Sequence, residues 1–227
     1  MFADDRVFVV RSQLRPGRRA FPVRANSLSA VTLGQGVVVS CDEFYYDWAL
    51  ENLPSLSREE VFAAGTVARL VEIAAACGQR IAGPTLKTVC TPDSFQMCAP
   101  PSCIALERFR GDEIRALYEH AGFTNALSYD PSSPRPDVIA VAAKEGAQIV
   151  GIAGVSADCD TLWQVGIDVL VTHRNRGIAK ALVAAATELV FDADRIPYSA
   201  SAISNLPSAR TLAAVGYWPA WTELYSY

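Results

Sequence analysis

Histidine and methionine are scarce, with two of each among 227 residues. Only His120 and His173 could offer an imidazole. The six cysteines, at 41, 77, 90, 98, 103 and 159, form no Cys-x-x-Cys pair. Cys98 and Cys103 share the Pro-rich "MCAPPSC", but no histidine lies near them, so no metal site is expected. Scattered cysteines in a chain of this size read as reduced, mostly buried thiols of a cytosolic protein. No run of 18 apolar residues occurs, which argues against a membrane span. The opening "MFADDRVFVV" carries acids where a secretory signal carries bases, so none is expected. A basic excess is also missing. There are 20 Lys and Arg against 24 Asp and Glu, a net charge of −4. That balance excludes a general nucleic-acid field but leaves room for a local anion site. Neither GxxxxGK[ST] nor GxGxxG is present, so nucleotide-hydrolysing and dinucleotide-binding readings lose support. No repeat of solenoid length is seen.

What is present suffices for a core: 51% hydrophobic residues against 19% charged. Strands are expected at Arg6–Ser12 and at two places within Ser27–Cys41, with a basic turn at Arg15–Pro22 between them. "DEFYYDWALENL" (Asp42–Leu53) fits a short helix with aromatics on one side. A helix follows Ser57, which forms a capping box with Glu60, and ends near Gly78. Ile81–Ser102, with prolines 84, 92, 100 and 101, is expected to be a loop or crossing segment. Beyond it come a strand at Cys103–Arg108, an amphipathic helix at Gly111–Phe123, and a linker-like loop at Pro131–Pro136. A hairpin turning at Lys144-Glu145-Gly146 follows, then a strand at Thr161–Val171. Next are a helix to about Phe191, a strand at Pro197–Ile203, a helix at Asn205–Gly216 and one or two final strands. The second half is thus an α/β or α+β sheet domain. The division expected is 1–102, a separate domain or an elaboration of the same sheet, and 103–227.

The stretch "VLVTHRNRGIAKAL", Val169–Leu182, changes from a β-branched strand to a basic turn to an alanine-rich helix. A helix opening at Gly177 leaves its first N–H groups unpaired, and its dipole adds positive charge there. That combination suits a phosphate or diphosphate. Gly177 lets the anion approach the backbone, and Arg174 and Arg176 add forked donors. A solvated basic turn is the alternative.

"RNRGIA", Arg174–Ala179, resembles the signature of the GNAT acyltransferases, Arg/Gln-x-x-Gly-x-Gly/Ala. The similarity extends to the element order around it: the strand before, the long helix after, the strand "YSASA", the helix opened by Asn205, and "VGY" at Val215–Tyr217. It covers roughly Ile104–Tyr225. The resemblance implies a mixed, mostly antiparallel twisted sheet flanked by helices over 103–227, with an N-terminal region that shapes the acceptor site or is degenerate. It implies an acetyl-CoA- or other acyl-CoA-dependent N-acetyltransferase. The diphosphate would rest on Arg174, Asn175, Arg176, Gly177, Ile178 and Ala179, with Lys180 at the rim. The preceding strand would splay from its neighbour at about Val169, exposing backbone of Val169, Leu170 and Val171 to the pantetheine arm. Asn205 and Ser208 would face the cofactor, although Asn205 also fits a plain helix cap.

In such enzymes an amine attacks the thioester directly. The tyrosine common seven positions after the helix-opening asparagine is replaced here by Leu212. The thiolate acid is therefore sought at Tyr217, Tyr225 or Ser208, or in a water. Asp168, sharing a strand face with Gly166 and Gln164, is the candidate base. Acceptor selection is expected from "DEFYYDWALENL", "FQMCAPPSC" or "FTNALSYD". The implied partner is a small-molecule amine, with a protein amine as a second class and a homodimer left open. A non-catalytic acyl-CoA-binding scaffold is the alternative reading.

Overall fold

The computed structural model describes residues 5–13, 16 and 27–227. The basic turn expected at Arg15–Pro22 lies almost wholly outside them. The described strands are β1 (Val7–Arg11), β2 (Leu28–Thr32), β3 (Val37–Cys41), β4 (Ile81–Val89), β5 (Ala105–Arg110), β6 (Asp137–Glu145), β7 (Gln148–Ala157), β8 (Leu162–Val169), β9 (Ile196–Ala202) and β10 (Trp218–Ser226). The helices are α1 (Glu43–Asn52), α2 (Arg58–Val61), α3 (Ala64–Ala76), α4 (Ile178–Asp192) and α5 (Leu206–Val215). All ten strands form one sheet, in the order β1-β3-β2-β10-β4-β9-β8-β7-β6-β5. The N-terminal region is therefore an elaboration of the same sheet. No described helix is long and apolar enough to cross a membrane.

The expectation of a loop over Ile81–Ser102 is corrected for its first part. Ile81–Val89 is β4, seated between β10 and β9 and antiparallel to both. Pro84 and the polar Thr85, Lys87 and Thr88 hide the apolar alternation by which a strand is recognised. Proline is excluded from a regular central ladder because it cannot donate. Here the β4–β10 register slips between Glu223 and Tyr225, and pairing to β9 begins only at Thr85. Pro84 falls in that slip. Gly83 beside it has φ +106°, and a Cβ there would stand 2.7 Å from the Glu223 carbonyl oxygen. Lys87 Nζ pairs with Glu223 Oε2 at 3.2 Å across the β4–β10 seam, the two side chains only 3% and 9% exposed.

Two further expectations change in detail. The capping box is real: Glu60 N–H donates to Ser57 Oγ, and Ser57 N–H to Glu60 Oε2 at 2.7 Å. The helix it opens, however, is one turn, broken at Phe62–Ala63 before α3 begins. Gly111–Glu119 winds as a 3-10 helix and not as an α-helix, burying Ile114 and Leu117.

Strand β6 is buried on both faces, as its unbroken "VIAVAA" run demands. Ile139, Val141 and Ala143 meet Ile178, Leu182 and Ala186 of α4. Ala140 and Ala142 face the other way, to Ile114, Leu117 and Phe123. Helix α4 thus lies on one face of the central strands, and the segment from Gly111 to Leu127 lies on the opposite face. Tyr45 and Ala49 of α1 and Leu70 and Ala74 of α3 pack with Leu28, Val37, Val39 and Leu224 around the N-terminal strands. The aromatic stripe of "DEFYYDWALENL" therefore anchors α1, with Arg11 stacked 3.9 Å over the Tyr46 ring.

Candidate active site

Strands β8 and β9 run parallel but stay paired for only three positions, Leu162↔Ile196, Trp163↔Pro197 and Gln164↔Tyr198. Beyond Gln164 they part. The splay thus starts earlier than the expected Val169. On its other side β8 remains fully paired to β7, from Trp163↔Ala157 to Val169↔Gly151. Leu170 N–H still donates to the Val150 carbonyl at 2.9 Å. Backbone groups alternate sides along an antiparallel strand, so those of Val165, Ile167 and Val169 turn toward the gap. The Ser199 hydroxyl donates to the Val165 carbonyl at 2.9 Å, closing the apex. The Val169 carbonyl accepts Arg174 Nε at 3.1 Å. Ile167 was missed from sequence because its apolar side chain draws attention to the core; only the strand parting reveals its backbone. Leu170 and Val171 lead out of β8 into a short 3-10 turn, Val171–His173.

The gap opens onto the start of α4. Asn175 at φ +61° and Gly177 at φ +85° both adopt the left-handed region, so the chain curls tightly before the helix. Successive N–H groups in such a curl converge on an anion-sized concavity. The helix ladder here begins with Ala181 N–H donating to the Gly177 carbonyl. The N–H groups of Ile178, Ala179 and Lys180 are thus the unpaired first-turn donors of α4. Gly177 caps the helix without a side chain, and a Cβ placed there would meet no heavy atom within 4 Å. Residues 174–177 are exposed, as is Lys180. Among the described residues, no side chain comes within 4 Å of a Cβ placed at Gly177, so the mouth is open there.

The two arginines are less available than their spacing suggests. Arg176 is ion-paired to Glu145 at the end of β6 and also reaches Cys103 Sγ at 3.2 Å. His173 Nε2 lies 3.1 Å from the same carboxylate. Arg176, then His173 and Cys103, hold the Glu145 carboxyl down to about 2. Glu145 thereby ties both ends of the basic turn to the β6–β7 hairpin. A carboxyl depressed in the folded protein stabilises it fully above its unfolded pKa of about 4.5, and that contribution is lost as pH falls toward 2. Glu145→Gln is therefore expected to lie below wild type in stability by a constant margin from pH 7 to 4.5. The margin should close between pH 4.5 and 2, as read from urea unfolding at each pH.

The expected catalytic residues separate. Tyr217 is corrected. It is buried with Leu212, Val215, Cys90, Val183 and Ala184, and its phenol shares a 2.7 Å hydrogen bond with Thr187 Oγ1. Burial pushes that phenol far above its ordinary range, so it cannot serve as a surface acid. Tyr225 lies on β10, which β4 separates from β9. Ser208 is half-buried in the first turn of α5, its N–H donating to Asn205 Oδ1 at 3.2 Å. Asn205 is thus the cap of α5. Asp168 is on the face shared with Gly166, where it meets the Asn125 and Ala126 backbone. Of the three segments expected to select the acceptor, "FTNALSYD" reaches the parted strand through the contacts of Asn125 and Ala126 with Asp168. "FQMCAPPSC" runs along α4, from the Phe95–Phe191 ring contact at one end to Cys103 beside Arg176 at the other.

The parted parallel strand pair thus leads to an open helix mouth lined by unpaired amides. Residues 104–217 match the acetyltransferase (GNAT) family, and the chain belongs to that family. Among solved structures, it is similar to a GCN5-related N-acetyltransferase from Kribbella flavida, with 20% identity and a TM-score of 0.54 over 93% of this chain and 89% of that one. A GCN5-related N-acetyltransferase-like protein from Streptococcus suis gives 17% identity and a TM-score of 0.51, covering 70% of this chain and 66% of the other. A GCN5-related N-acetyltransferase from Sphaerobacter thermophilus gives 21% and 0.50, covering 72% and 56%. These likenesses carry the fold. No curated protein matches the chain.

Proposed function

We propose that the chain moves an acetyl group from acetyl-CoA to the nitrogen of a small-molecule amine. The observation that carries this reading is the continuity between the β8–β9 gap and the α4 mouth. The diphosphate would rest on the amides of residues 174–180, with Lys180 at the rim. The pantetheine arm would run along the gap-facing backbone of Ile167 and Val169, extending β8 as an added strand would. Asn205 and Ser208, at the opening of α5, would border the cofactor on the β9 side. Acetyl-CoA supplies an activated acyl carbon: a C–N bond forms as the C–S bond breaks, and the amine proton ends on the released thiol. With Tyr217 enclosed and Leu212 in the core, the Ser208 hydroxyl or a water would deliver that proton.

Acetyl-CoA should raise the unfolding temperature, by about 5–10 °C at a hundred times its Kd. Free thiol should then appear with at least one member of a panel of aliphatic and aromatic primary amines. No thermal shift would overturn the cofactor assignment. A shift without thiol release from small amines or a peptide panel would support the non-catalytic binding module instead.

A further inference from the structure

Asp168 stands on the part of β8 that has left β9, and both its oxygens are engaged. Oδ2 accepts Asn125 N–H at 2.7 Å and Ala126 N–H at 3.2 Å. Oδ1 accepts Asn125 Nδ2 at 2.7 Å. Three donors from two adjacent residues converge on one carboxylate. Beside it, Gly154 and Gly166 are register partners in β7 and β8. A Cβ on Gly166 would lie 1.9 Å from the Asn125 carbonyl oxygen, and one on Gly154 would lie 1.8 Å from that of Ala126. The turn backbone therefore rests directly on a floor without side chains. Phe123, Ala126 and Leu127 are buried against Ala140, Ala142 and Ile152, which fixes the turn from the hairpin side.

The arrangement joins two independent devices, a glycine floor that admits the backbone and a carboxylate that draws its amides down. Neither is needed merely to close a loop of this kind, since exposed turns commonly leave their N–H groups to water. The effect is to hold Asn125 and Ala126 rigidly over the strand whose other edge faces the gap. The geometry points to Asp168 as a positioning residue that locks the Phe123–Leu127 turn as the acceptor-side wall of the cleft. This role rests on the transferase reading and replaces that of general base. A carboxylate occupied by three backbone and amide donors would have to surrender them to approach an amine.

Three variants of the full chain test the lock: Asp168→Asn, Asn125→Ala, which keeps the two backbone donors, and Gly166→Ala, which lifts the turn from beneath. Amide hydrogen exchange at residue 125 should rise about ten-fold or more in Asp168→Asn, and less in Asn125→Ala; the rise at 126 should be smaller, because that N–H also donates to the Phe123 carbonyl at 3.0 Å. The KM for the amine turned over best by wild type should rise in all three, normalised to folded protein. Acetyl-CoA affinity by calorimetry should stay within about two-fold, because none of the three side chains belongs to the first-turn donors of α4. The pH–rate profile of Asp168→Asn should keep both its limbs. Unchanged exchange at 125 would overturn the lock. Loss of a pH limb in Asp168→Asn with KM unaltered would overturn it in favour of a base. If wild type fails to bind acetyl-CoA, the transferase reading falls, and with it the acceptor role. The exchange data would still report separately whether Asp168 holds the turn.

Discussion

Gly177→Glu is expected to abolish acetyl-CoA binding, raising Kd by about 100-fold or more while the chain remains folded. The size follows from two terms that act together. A carboxylate at the mouth places a negative charge where a diphosphate must sit, and repulsion of that kind costs several kcal/mol when the groups are close. A side chain there also occupies the space through which the anion approaches the amides. The effect on folding is smaller, because a Cβ at residue 177 meets no protein atom within 4 Å. What remains is the cost of φ +85° in a non-glycine residue, about 1–2 kcal/mol. Gly177→Ala separates the terms: it should show that backbone cost with a much milder loss of affinity. Calorimetry with acetyl-CoA, beside urea unfolding of the same samples, measures both. Undiminished binding in Gly177→Glu would move the cofactor elsewhere.

Lys87→Met should destabilise the protein by about 3–5 kcal/mol, the typical cost of removing one partner of a buried ion pair. Lys87 and Glu223 face each other across the seam where β4 enters between β9 and β10. The Tyr198 ring lies 6.0 Å from the same ammonium, and Trp221 stacks near Tyr198 with centroids 5.7 Å apart. Removing the cation leaves a carboxylate in that enclosed setting. Removing both charges, in Lys87→Met/Glu223→Leu, should recover most of the loss, since well-packed apolar substitutes for a buried pair are commonly neutral or better. Equilibrium unfolding in urea, with unchanged m-values, checks both variants. A single variant as stable as wild type would mean that the pair contributes little to holding β4 in the sheet.

The two variants act on different links. The change at Gly177 is expected to act on ligand binding and to leave the architecture alone. Lys87 governs whether the N-terminal region and the family domain remain one sheet. Lys87→Met should therefore weaken acetyl-CoA binding only as far as it lowers the folded fraction.

Much of the C-terminal half was legible because its signals are local. A β-branched run, a glycine opening an alanine-rich helix and an asparagine cap each act within a few residues, and the backbone obeys them in place. The capping box at Ser57 is of the same kind. Local pattern failed where the cause was distant. Ile81–Val89 has a proline and a buried lysine, and only the register slip in β10 and the partner Glu223 make it a central strand. Tyr217 suggested an acid by its place after α5, yet Thr187, 30 residues earlier, takes its hydroxyl into the core.

The sequence by itself determined the GNAT-type order of elements and the glycine-opened helix mouth, since periodicity, capping and φ preference are properties of neighbouring residues. Tertiary structure alone decided that β1 to β4 complete the same sheet, that β8 and β9 part after Gln164, and that Asp168 is spent on a turn some 40 residues away in the chain. Those outcomes depend on pairings between segments far apart in sequence, and a polar residue shows its partner only once the fold has brought the two together.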